Sequence, residues 1–358
     1  MSRLIRAIID TGALRSNLAT IRRSAPGARV IAVIKANAYG HGLVSTALAL
    51  PDADAFAVAR IEEAQALRSA GVPQPIVLLE GVYGDEDLEQ AARHRFEPVV
   101  HDARQIELLE RYAGSHRCTL WLKVDTGMNR LGFRVEEFAG ALERLRRLRV
   151  PALEIRLITH LARADEPDSR MTREQLDRFH ALSRGLRLVT SIGNSAGILA
   201  WPDGRGDWVR PGISLYGISP FPQKRGADLG LKPVMTLETC VIGVRKVKRG
   251  ETVGYGGIWE ASRDSTVAII AAGYGDGIRR TLPNGTPVLV NGERAALVGR
   301  VSMDMLAVDV TGLPRVEPGD HVVLWGTDLP VEEIAACAGT IGYELVCGVS
   351  QRVPVELR

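Results

Sequence analysis

The first residue whose type and position suggest chemistry is a lysine at the end of an apolar run. Lys35 follows Val30–Ile34, a β-branched run of the kind that forms buried strands. An apolar environment lowers the pKa of a lysine amine and makes it a candidate nucleophile for a Schiff base. A strand-end lysine that extends to solvent is the alternative, and Lys35 taken alone favours it. Tyr39 lies in the glycine-containing turn that follows, where its hydroxyl can contact a ligand.

A second polar cluster lies in residues 122–132, again at the end of an apolar run. Loops that follow strand ends are where barrel proteins present polar groups to substrates. Arg130 in this loop can bind a carboxylate through two parallel hydrogen bonds. A loop held together by salt bridges is an equally good interpretation.

Two further segments are candidates for an anion site. Asn194 and Ser195 lie at the predicted start of a helix, where backbone N–H groups and the serine hydroxyl can bind a phosphate. The next unit contains Arg210, Gly212 and Ile213, so both segments follow the last two predicted strands. Barrel phosphate sites frequently lie there. Asn-Ser is also a common helix cap, and the motif alone favours capping.

One histidine and three tyrosines complete the candidates. His160 ends another apolar run and can act as a base or orient a neighbour; we predict the supporting role. Tyr255, Tyr274 and Tyr343 each lie beside a glycine, which lets the backbone approach another surface closely. A phenol can be a general acid or base. A simple turn is the alternative for each tyrosine, but three in one region favour a function.

The elements that position these residues follow a repeating pattern. Apolar runs alternate with helix-like segments through residues 1–230, which is typical of repeated βα units in an α/β fold. Eight such units predict an N-terminal (β/α)8 TIM-like barrel with its active site at the C-terminal ends of the strands. The predicted strands are Val30–Ile34, Ala55–Ala59, Ile76–Leu79, Phe96–Val100, Thr119–Val124, Leu153–Ile158, Leu188–Ile192 and, the weakest, Asp207–Arg210. The predicted helices are Ile61–Ala70, Asp85–His94, Asp102–Tyr112, Val135–Leu148 and Thr172–Ser183.

Residues 231–358 have a different pattern. Their apolar segments alternate or are short, with Gly, Pro and Asn between them, which predicts a mostly β C-terminal domain. Val331–Ala338 is the one helix predicted there. The predicted strands are Met235–Val247, Ser265–Ala271, Thr286–Val290, Glu293–Val298, Met305–Val310, His321–Leu324 and Val349–Leu357.

Composition excludes several classes of function. The 358 residues are 46% hydrophobic and 24% charged, with a formal net charge of +3 and no basic run, so we predict no nucleic-acid partner. No apolar stretch is long enough to span a bilayer and no signal-peptide pattern precedes Asp10. We therefore predict a cytoplasmic protein without a membrane partner. The four cysteines lack metal-ligand spacing, which predicts free thiols and no metal.

Five separated motifs, in this order, resemble the alanine racemase family, and the resemblance covers essentially the whole chain. It implies a barrel followed by a β domain, pyridoxal 5'-phosphate as the cofactor and a homodimer. Each active site would be completed by the β domain of the partner subunit. The motifs are Ile34–Gly42, Lys123–Gly132, Arg210–Gly212, Gly254–Gly256 and Gly299–Asp304.

The resemblance also implies the catalytic roles. Lys35 would hold pyridoxal phosphate as a Schiff base and exchange the Cα proton on the face used for D-alanine. Tyr255, from the other subunit, would serve the opposite face, used for L-alanine. His160 would hydrogen-bond Arg210, and Arg210 would face the pyridine nitrogen. Since arginine cannot deliver a proton at its pKa, the ring would stay largely unprotonated and less prone to transamination.

The remaining implied residues hold the ligands or surround them. Arg130 and the Met303 amide of the partner chain would bind the substrate carboxylate. Lys123, which is often carbamylated in the family, would position Arg130. The cofactor and its phosphate would be held by Tyr39, Asn194, Ser195, Gly212, Ile213 and Tyr343. A narrow access channel, which would favour small side chains, would be formed by Tyr274, Tyr343, Asp165, Arg280, Arg300 and Asp304.

The predicted activity is therefore interconversion of L-alanine and D-alanine by two opposed bases, which would supply D-alanine for peptidoglycan. A serine or broad-specificity racemase is the nearest alternative, since alanine and serine differ by one hydroxyl. A decarboxylase of the same fold is disfavoured because such relatives place an acidic residue where Arg210 stands. A non-catalytic pyridoxal-phosphate carrier or a Schiff-base aldolase would leave the C-terminal domain unexplained.

Overall fold

The computed structural model describes residues 4–112, 118–149 and 153–358. Its strands are β1 (Arg6–Ile9), β2 (Arg29–Val33), β3 (Ala55–Val58), β4 (Ile76–Leu78), β5 (Phe96–Val100), β6 (Thr119–Asp125), β7 (Phe133–Arg134), β8 (Glu154–Ile158), β9 (Thr190–Ser191), β10 (Trp208–Val209), β11 (Met235–Val247), β12 (Thr252–Val253), β13 (Trp259–Glu260), β14 (Ser265–Ile270), β15 (Pro287–Val290), β16 (Glu293–Val298), β17 (Leu306–Asp309), β18 (His321–Trp325) and β19 (Val355–Leu357). Its helices are α1 (Thr11–Ser24), α2 (Lys35–Tyr39, a single turn), α3 (Leu43–Ala49), α4 (Ile61–Ser69), α5 (Asp85–His94), α6 (Ala103–Arg111), α7 (Phe138–Arg146), α8 (Arg170–Ser183), α9 (Ser195–Ala200), α10 (Val331–Cys337) and α11 (Gly342–Cys347).

Eight of the strands form a closed parallel barrel in the N-terminal part of the chain. β2, β3, β4, β5, β6, β8, β9 and β10 pair in that order, and Val209 of β10 pairs with Val30 of β2 to close the ring. The short β7 pairs with the end of β6. The strands are apolar because helices cover them outside and side chains fill the interior. The predicted (β/α)8 barrel is confirmed, and even the weakest predicted strand is present as β10.

The five helices predicted from the sequence are present as α4 to α8. Two further helices, α1 and α9, begin at a side-chain cap. The Asp10 carboxylate accepts a hydrogen bond from the Ala13 N–H (2.8 Å) at the start of α1. The Asn194 side chain accepts one from the Gly197 N–H (2.9 Å) at the start of α9. Such caps satisfy the free N–H groups of a helix start and fix where the chain leaves the preceding segment.

The chain after the barrel is built mainly of antiparallel strands. β11, the longest strand, pairs with both β14 and β18. β14, β17, β16, β15 and β18 pair in series, so that six strands close into a second barrel. The prediction of a mostly β C-terminal part is confirmed.

Two local predictions in this part are wrong. The pattern predicts one helix, Val331–Ala338, but a second helix, α11, follows it. Six residues are too few to show the 3.6-residue apolar period, so α11 leaves no clear pattern. The predicted strand Val349–Leu357 is reduced to β19, because the Ser350 N–H bonds to the Asp276 carbonyl (3.0 Å) and the chain turns there.

The first strand, β1, lies within residues 1–230 but pairs with strands of the C-terminal domain. β1 is antiparallel to β11 and parallel to β19. The start of the chain therefore contributes to the C-terminal sheet, although the sequence pattern groups it with residues 1–230. A pairing between opposite ends of a chain leaves no local pattern from which to predict it.

Cys118, Cys240, Cys337 and Cys347 are free thiols. Within residues 4–112, 118–149 and 153–358, no helix is long and apolar enough to cross a membrane. The same residues contain no cluster of three or more His, Cys, Asp or Glu side chains arranged to hold a metal ion.

Asn17 of α1 links the barrel to the segment that leads into the second domain. Its amide donates to the carbonyls of Leu215 (2.9 Å) and Lys232 (2.8 Å), and its Oδ1 accepts from the Lys232 N–H (2.8 Å). The side chain is fully buried, and so is its bond to the Leu215 carbonyl, which solvent does not reach.

We expect Asn17→Ala to lower the free energy of unfolding by about 2–4 kcal/mol, because it removes the side-chain partner of one buried and two partly buried backbone groups. Urea unfolding followed by circular dichroism measures the change. Arg15→Ala, on the exposed face of the same helix, is the control and should stay within about 0.5 kcal/mol of the unsubstituted protein. Equal stabilities of the two variants would contradict the linking role of Asn17.

Candidate active site

A cavity of about 500 Å³ opens at the C-terminal ends of the barrel strands. This volume suits a small cofactor with its substrate. Most of the residues predicted for the site line its wall: Lys35, Tyr39, Lys123, Arg130, His160, Asn194, Ser195, Arg210, Gly212, Ile213 and Tyr343. All of them come from the barrel part of the chain except Tyr343, which α11 contributes from the second domain.

Lys35 is followed by a left-handed turn. Ala36, Asn37, Ala38 and Tyr39 have φ angles of 53° to 54°. This conformation costs a non-glycine residue about 1–2 kcal/mol. Four consecutive residues keep it only where surrounding contacts compensate, and such strain is concentrated at functional sites.

His41 supplies the contacts that hold this turn. Its Nδ1 lies 3.1 Å from the Ala38 carbonyl and 2.9 Å from the Tyr39 carbonyl, and its ring packs on Tyr216 with centroids 4.4 Å apart. Complete burial lowers the pKa of His41 to about 4. The ring is therefore neutral at pH 7, and the geometry assigns its proton to Nδ1, which donates to the two carbonyls. His41 thus fixes the backbone at Tyr39 and, through the turn, at Lys35.

Ser195 and the backbone near Gly212 form an anion cradle. The Ser195 hydroxyl oxygen accepts from the N–H groups of Gly212 (3.0 Å) and Ser214 (3.3 Å) and from the Ser214 hydroxyl (3.0 Å). Its own proton is therefore available to a ligand. A side chain at position 212 would place its Cβ 2.5 Å from the Tyr39 hydroxyl oxygen. Glycine at this position thus allows the phenol to lie against the cradle.

Tyr39 and Tyr343 present neutral phenols to the cavity. Burial raises the pKa of both, and a smaller contribution comes from Tyr343 at Tyr39 and from Asp165 at Tyr343. Their ring centroids are 6.0 Å apart. Phenols that stay protonated are hydrogen-bond donors for an anion such as phosphate. The effect on Tyr343 also shows that Asp165, predicted for the access channel, lies near this end of the cavity.

Arg210 is a buried cation whose partners are neutral. It donates from Nη1 to the Ser191 hydroxyl (2.6 Å) and from Nη2 to the carbonyls of Thr159 (2.5 Å) and Ile192 (3.1 Å). The same Nη2 lies 3.4 Å from Nδ1 of His160. Arg210 is 4% exposed, and no carboxylate of the described residues pairs with it. Burial lowers its pKa to about 9, which still leaves the guanidinium charged at pH 7.

This cation changes the titration of its neighbours. Burial, and then Arg210 and Lys123, hold the pKa of His160 well below its ordinary value, so His160 is neutral. Burial, and then Arg210 and Arg130, lower the pKa of Lys123 from 10.5 to about 8. Near neutral pH the cavity therefore holds a neutral imidazole and an amine that is partly uncharged.

The residues predicted to come from the partner chain lie outside this cavity. Tyr255 follows β12, between the two strands of a small hairpin, and its side chain is 68% exposed. Met303 is 53% exposed. Neither Tyr255 nor Met303 is among the described residues that line the cavity around Lys35. The remaining predicted residues of the C-terminal domain that are absent from the cavity wall are Tyr274, Arg280, Arg300 and Asp304.

Sequence reasoning missed part of the cavity wall. Most of the missed residues lie on strands or directly after them, so strand ends are the signal that could have found them. Glu80, a carboxylate just after β4, is the clearest case. Cys347 belongs to α11, which the pattern does not reveal. The missed residues are Val33, Ala36, Leu79, Glu80, Val99, Leu131, Ile158, Thr159 and Cys347.

The chemistry of these groups fits pyridoxal phosphate. The lysine at the end of β2 can form a Schiff base with an aldehyde. The available Ser195 proton, the Tyr39 phenol and the close backbone at Gly212 suit a phosphate. A phosphate site after the last two strands is frequent in barrel enzymes. Fold and site together define a barrel-type pyridoxal-phosphate enzyme.

Comparison with known proteins specifies the family. The protein-family model described as "Alanine racemase, N-terminal domain" matches residues 9–220. The family model described as "Alanine racemase, C-terminal domain" matches residues 234–357. The chain is 51% identical over 350 residues to an alanine racemase of Aeromonas hydrophila, covering 98% of each chain. It is 49% identical over 349 residues to one of Photobacterium profundum, covering 97% of each.

Solved structures agree with this assignment. The biosynthetic alanine racemase of Pseudomonas aeruginosa superposes with a TM-score of 0.96 at 44% identity, over 100% of both chains. The alanine racemase of Acinetobacter baumannii superposes with a TM-score of 0.94 at 37% identity, also over 100% of both. This chain belongs to the alanine racemase family, whose members are pyridoxal-phosphate-dependent isomerases.

We expect His41→Phe to weaken the binding of pyridoxal phosphate about tenfold, because the ring keeps its shape but loses its donor to two carbonyls. Spectroscopic titration of the cofactor-free protein measures the dissociation constant. His180→Phe, exposed on α8, is the control and should bind the cofactor with unchanged affinity. An unchanged constant for folded His41→Phe would show that the turn does not depend on His41.

Proposed function

We propose that this chain interconverts L-alanine and D-alanine with pyridoxal phosphate bound at Lys35. The observation that carries the proposal is the presence, in one cavity, of a strand-end lysine, an anion cradle and a buried arginine. Full-length similarity to alanine racemases supports alanine as the substrate.

Racemisation requires proton exchange on both faces of Cα. Bound pyridoxal phosphate withdraws electrons from Cα and so acidifies its proton. The Lys35 amine takes or returns this proton on the face used for D-alanine. Tyr255 of the partner subunit does so on the opposite face, used for L-alanine. Two groups are needed because one group cannot easily reach both faces of a planar centre.

The exposed position of Tyr255 supports a homodimer with shared sites. It belongs to a group of exposed large side chains on the C-terminal domain, which also includes Ile258, Tyr274, Met303 and Met305. Exposed apolar groups of this kind mark interaction surfaces. We propose that this surface covers the cavity of a second copy, so that each chain completes the site of the other.

Arg210 tunes the cofactor in this proposal. Arg210 would face the pyridine nitrogen, and His160, whose Nδ1 lies 3.4 Å from Nη2 of Arg210, would accept a hydrogen bond from it. Because Arg210 remains charged at pH 7, it does not give the ring a proton. An unprotonated ring is a weaker electron sink, which limits side reactions such as transamination.

Arg130 and the Met303 amide of the partner subunit bind the substrate carboxylate. Lys123 lies in the same wall as Arg130, and its lowered pKa leaves part of its amine uncharged. An uncharged amine reacts with carbon dioxide, and the resulting carbamate is an anion that can pair with Arg130. We propose this modification as the group that positions the arginine.

The access channel selects for size. Tyr343 lines the cavity, and Asp165 lies close enough to Tyr343 to raise the pKa of its phenol. The partner subunit's Tyr274 would narrow the channel further in, with Arg280, Arg300 and Asp304 of the partner subunit lining it outside. A channel narrowed in this way would admit a methyl or hydroxymethyl side chain and exclude larger ones.

In the cell, the product D-alanine would enter peptidoglycan precursors, and the protein would act in the cytoplasm.

The reaction itself is tested by the visible absorption spectrum and by polarimetry. Cofactor absorbance together with decay of the optical rotation of L-alanine to zero supports the proposal. Absorbance without loss of rotation would overturn it, and L-serine measured in parallel tests the range of substrates.

The shared site predicts complementation between two inactive variants. Lys35→Ala should lose racemisation in both directions and the visible absorbance of the bound cofactor, while Tyr255→Phe should keep the absorbance and lose most activity. Mixed dimers contain one site with both native groups, so activity should return to about a quarter of the native level, given random exchange of subunits. No recovery despite demonstrated exchange would argue against shared sites.

The lowered pKa of Lys123 predicts the pH at which its amine begins to react. Only the uncharged amine attacks cyanate or carbon dioxide, so modification should rise with pH through about 8 rather than about 10.5. At pH 7 about a tenth of Lys123 should be uncharged. Cyanate labelling of the cofactor-free protein, mapped by mass spectrometry, measures this profile, with exposed Lys248 as the reference. A Lys123 profile that coincides with Lys248 would contradict the lowered pKa.

A further inference from the structure

Two loops of the C-terminal domain carry the residues that are proposed to reach the substrate of the partner subunit. Residues 273–277, which contain Tyr274, are here named the tyrosine loop. Residues 302–305, which contain Met303, are named the methionine loop. The inference below rests on the proposed function, because it concerns how these two loops are held for the substrate.

The two loops are in direct backbone contact. The N–H of Tyr274 donates to the Ser302 carbonyl (3.0 Å), and the N–H of Gly275 donates to the Met303 carbonyl (2.8 Å). A Cβ at Gly273 would lie 2.2 Å from the Met303 carbonyl oxygen. The approach is therefore so close that a displacement of one loop must move the other.

Arg352 is bonded to both loops. Its Nε donates to Oδ1 of Asp276 in the tyrosine loop (2.7 Å), and its Nη2 donates to Oδ1 of Asp304 in the methionine loop (2.8 Å). Its guanidinium lies directly against the backbone between them, since a Cβ at Gly275 would come within 2.8 Å of the guanidinium carbon. One planar cation thus spans two loops, a geometry that arginine supports and lysine does not.

The two carboxylates that bond Arg352 differ in exposure, and the contact with the buried Asp276 is the stronger of the two. The side chain of Asp276 is 5% exposed, and its Oδ2 also accepts from the Gly273 N–H (2.8 Å). Arg352 therefore neutralises the buried carboxylate of Asp276. Without Arg352, the Gly273 N–H would be the one hydrogen-bond donor left to this carboxylate among the described residues. The Asp304 side chain is 58% exposed, and an isolated pair at that exposure contributes little. Its importance is geometric, because it fixes the methionine loop to a cation that Asp276 already holds.

We propose that Arg352 is a positioning residue for substrate binding: it joins Asp276 to Asp304 and so fixes the Met303 amide and the Tyr274 phenol for the partner's cavity. Arg352 itself does not contact the substrate. The cofactor is held by the barrel and by Tyr343 of α11, and Arg352 hydrogen-bonds to none of the described residues that line the cavity, so the affinity for pyridoxal phosphate should not depend on Arg352.

The test compares four variants of the full-length, cofactor-loaded protein. Arg352→Met removes both contacts, Arg352→Lys keeps the charge but reaches one carboxylate, and Asp304→Asn weakens only the exposed contact. Arg294→Met removes a similarly exposed arginine that bonds Glu333 elsewhere on the same domain, and serves as the control. Each variant is assayed for amide hydrogen exchange of both loops, for KM and kcat with L-alanine, and for cofactor affinity.

For Arg352→Met we expect faster exchange in both loops and an increase of KM of about tenfold. The change in kcat should be smaller, and the cofactor affinity unchanged. Arg352→Lys should be intermediate, and Asp304→Asn should speed exchange mainly in the methionine loop, with a smaller increase in the tyrosine loop that is bonded to it. Arg294→Met should change none of these.

Native exchange rates in both loops of Arg352→Met, or a native KM despite faster exchange, would overturn the proposal. If Arg352→Met does not fold, Arg352→Lys and Asp304→Asn decide by the same criteria. If the unsubstituted protein does not racemise alanine, the proposed function fails. The exchange rates would then still show whether Arg352 holds the two loops, so the two failures are distinguishable.

Discussion

The buried charge of Arg210 is the interaction on which the rest of the site depends. From its position after β10, the side chain donates to Thr159 after β8 and to Ser191 of β9, so it ties three neighbouring strands together at the cavity floor. Burying a cation without a carboxylate is expensive, and the neutral acceptors must compensate. The uncancelled charge then acts on its surroundings, where it helps to keep His160 neutral and Lys123 partly uncharged. A carboxylate in contact with Arg210 would weaken each of these effects.

A second unfavourable feature lies on the adjacent strand. β2 pairs with β10 in the barrel, and the left-handed turn of residues 36–39 follows β2 directly. This pairing brings Tyr39 to the backbone at Gly212, with Ser195 beside it. The backbone strain of the turn is offset by His41, which is itself a buried polar group held neutral by its surroundings. The cofactor site is thus built from strained or desolvated groups that the barrel holds together, as is common where a fold supports a function.

The amino-acid sequence predicts elements of the fold correctly wherever a physical property repeats locally. Buried strands need continuous apolar runs, so the eight barrel strands could be recognised, and polar residues directly after them could be assigned to one rim. This position makes Lys35 and Arg210 candidates, whereas their roles come from the family resemblance, since Lys35 taken alone favours a lysine that extends to solvent. The same logic extends to Glu80, which was overlooked although it follows β4.

Other features have no local pattern and could not be predicted in this way. The pairing of β1 with β11 joins distant parts of the chain. Helix α11 is too short to show a period, so the packing of Tyr343 against the barrel was expected from family resemblance rather than from its own segment. The positive φ angles after Lys35 belong to alanine, asparagine and tyrosine, and alanine and tyrosine do not favour that conformation. Contacts of the folded chain account for them, among them the bonds of His41 to two carbonyls of the turn and the bond of the Asn37 N–H to Glu63 (3.3 Å).

The protonation state of the cofactor ring depends most directly on the charge of Arg210. Pyridoxal phosphate labelled with nitrogen-15 in the ring can be bound to the protein, and its nitrogen chemical shift measured at pH 7. A charged Arg210 opposite the ring predicts the shift of an unprotonated pyridine nitrogen. The shift of a protonated nitrogen would contradict this account, because it would mean that Arg210 does not set the electronic state of the site.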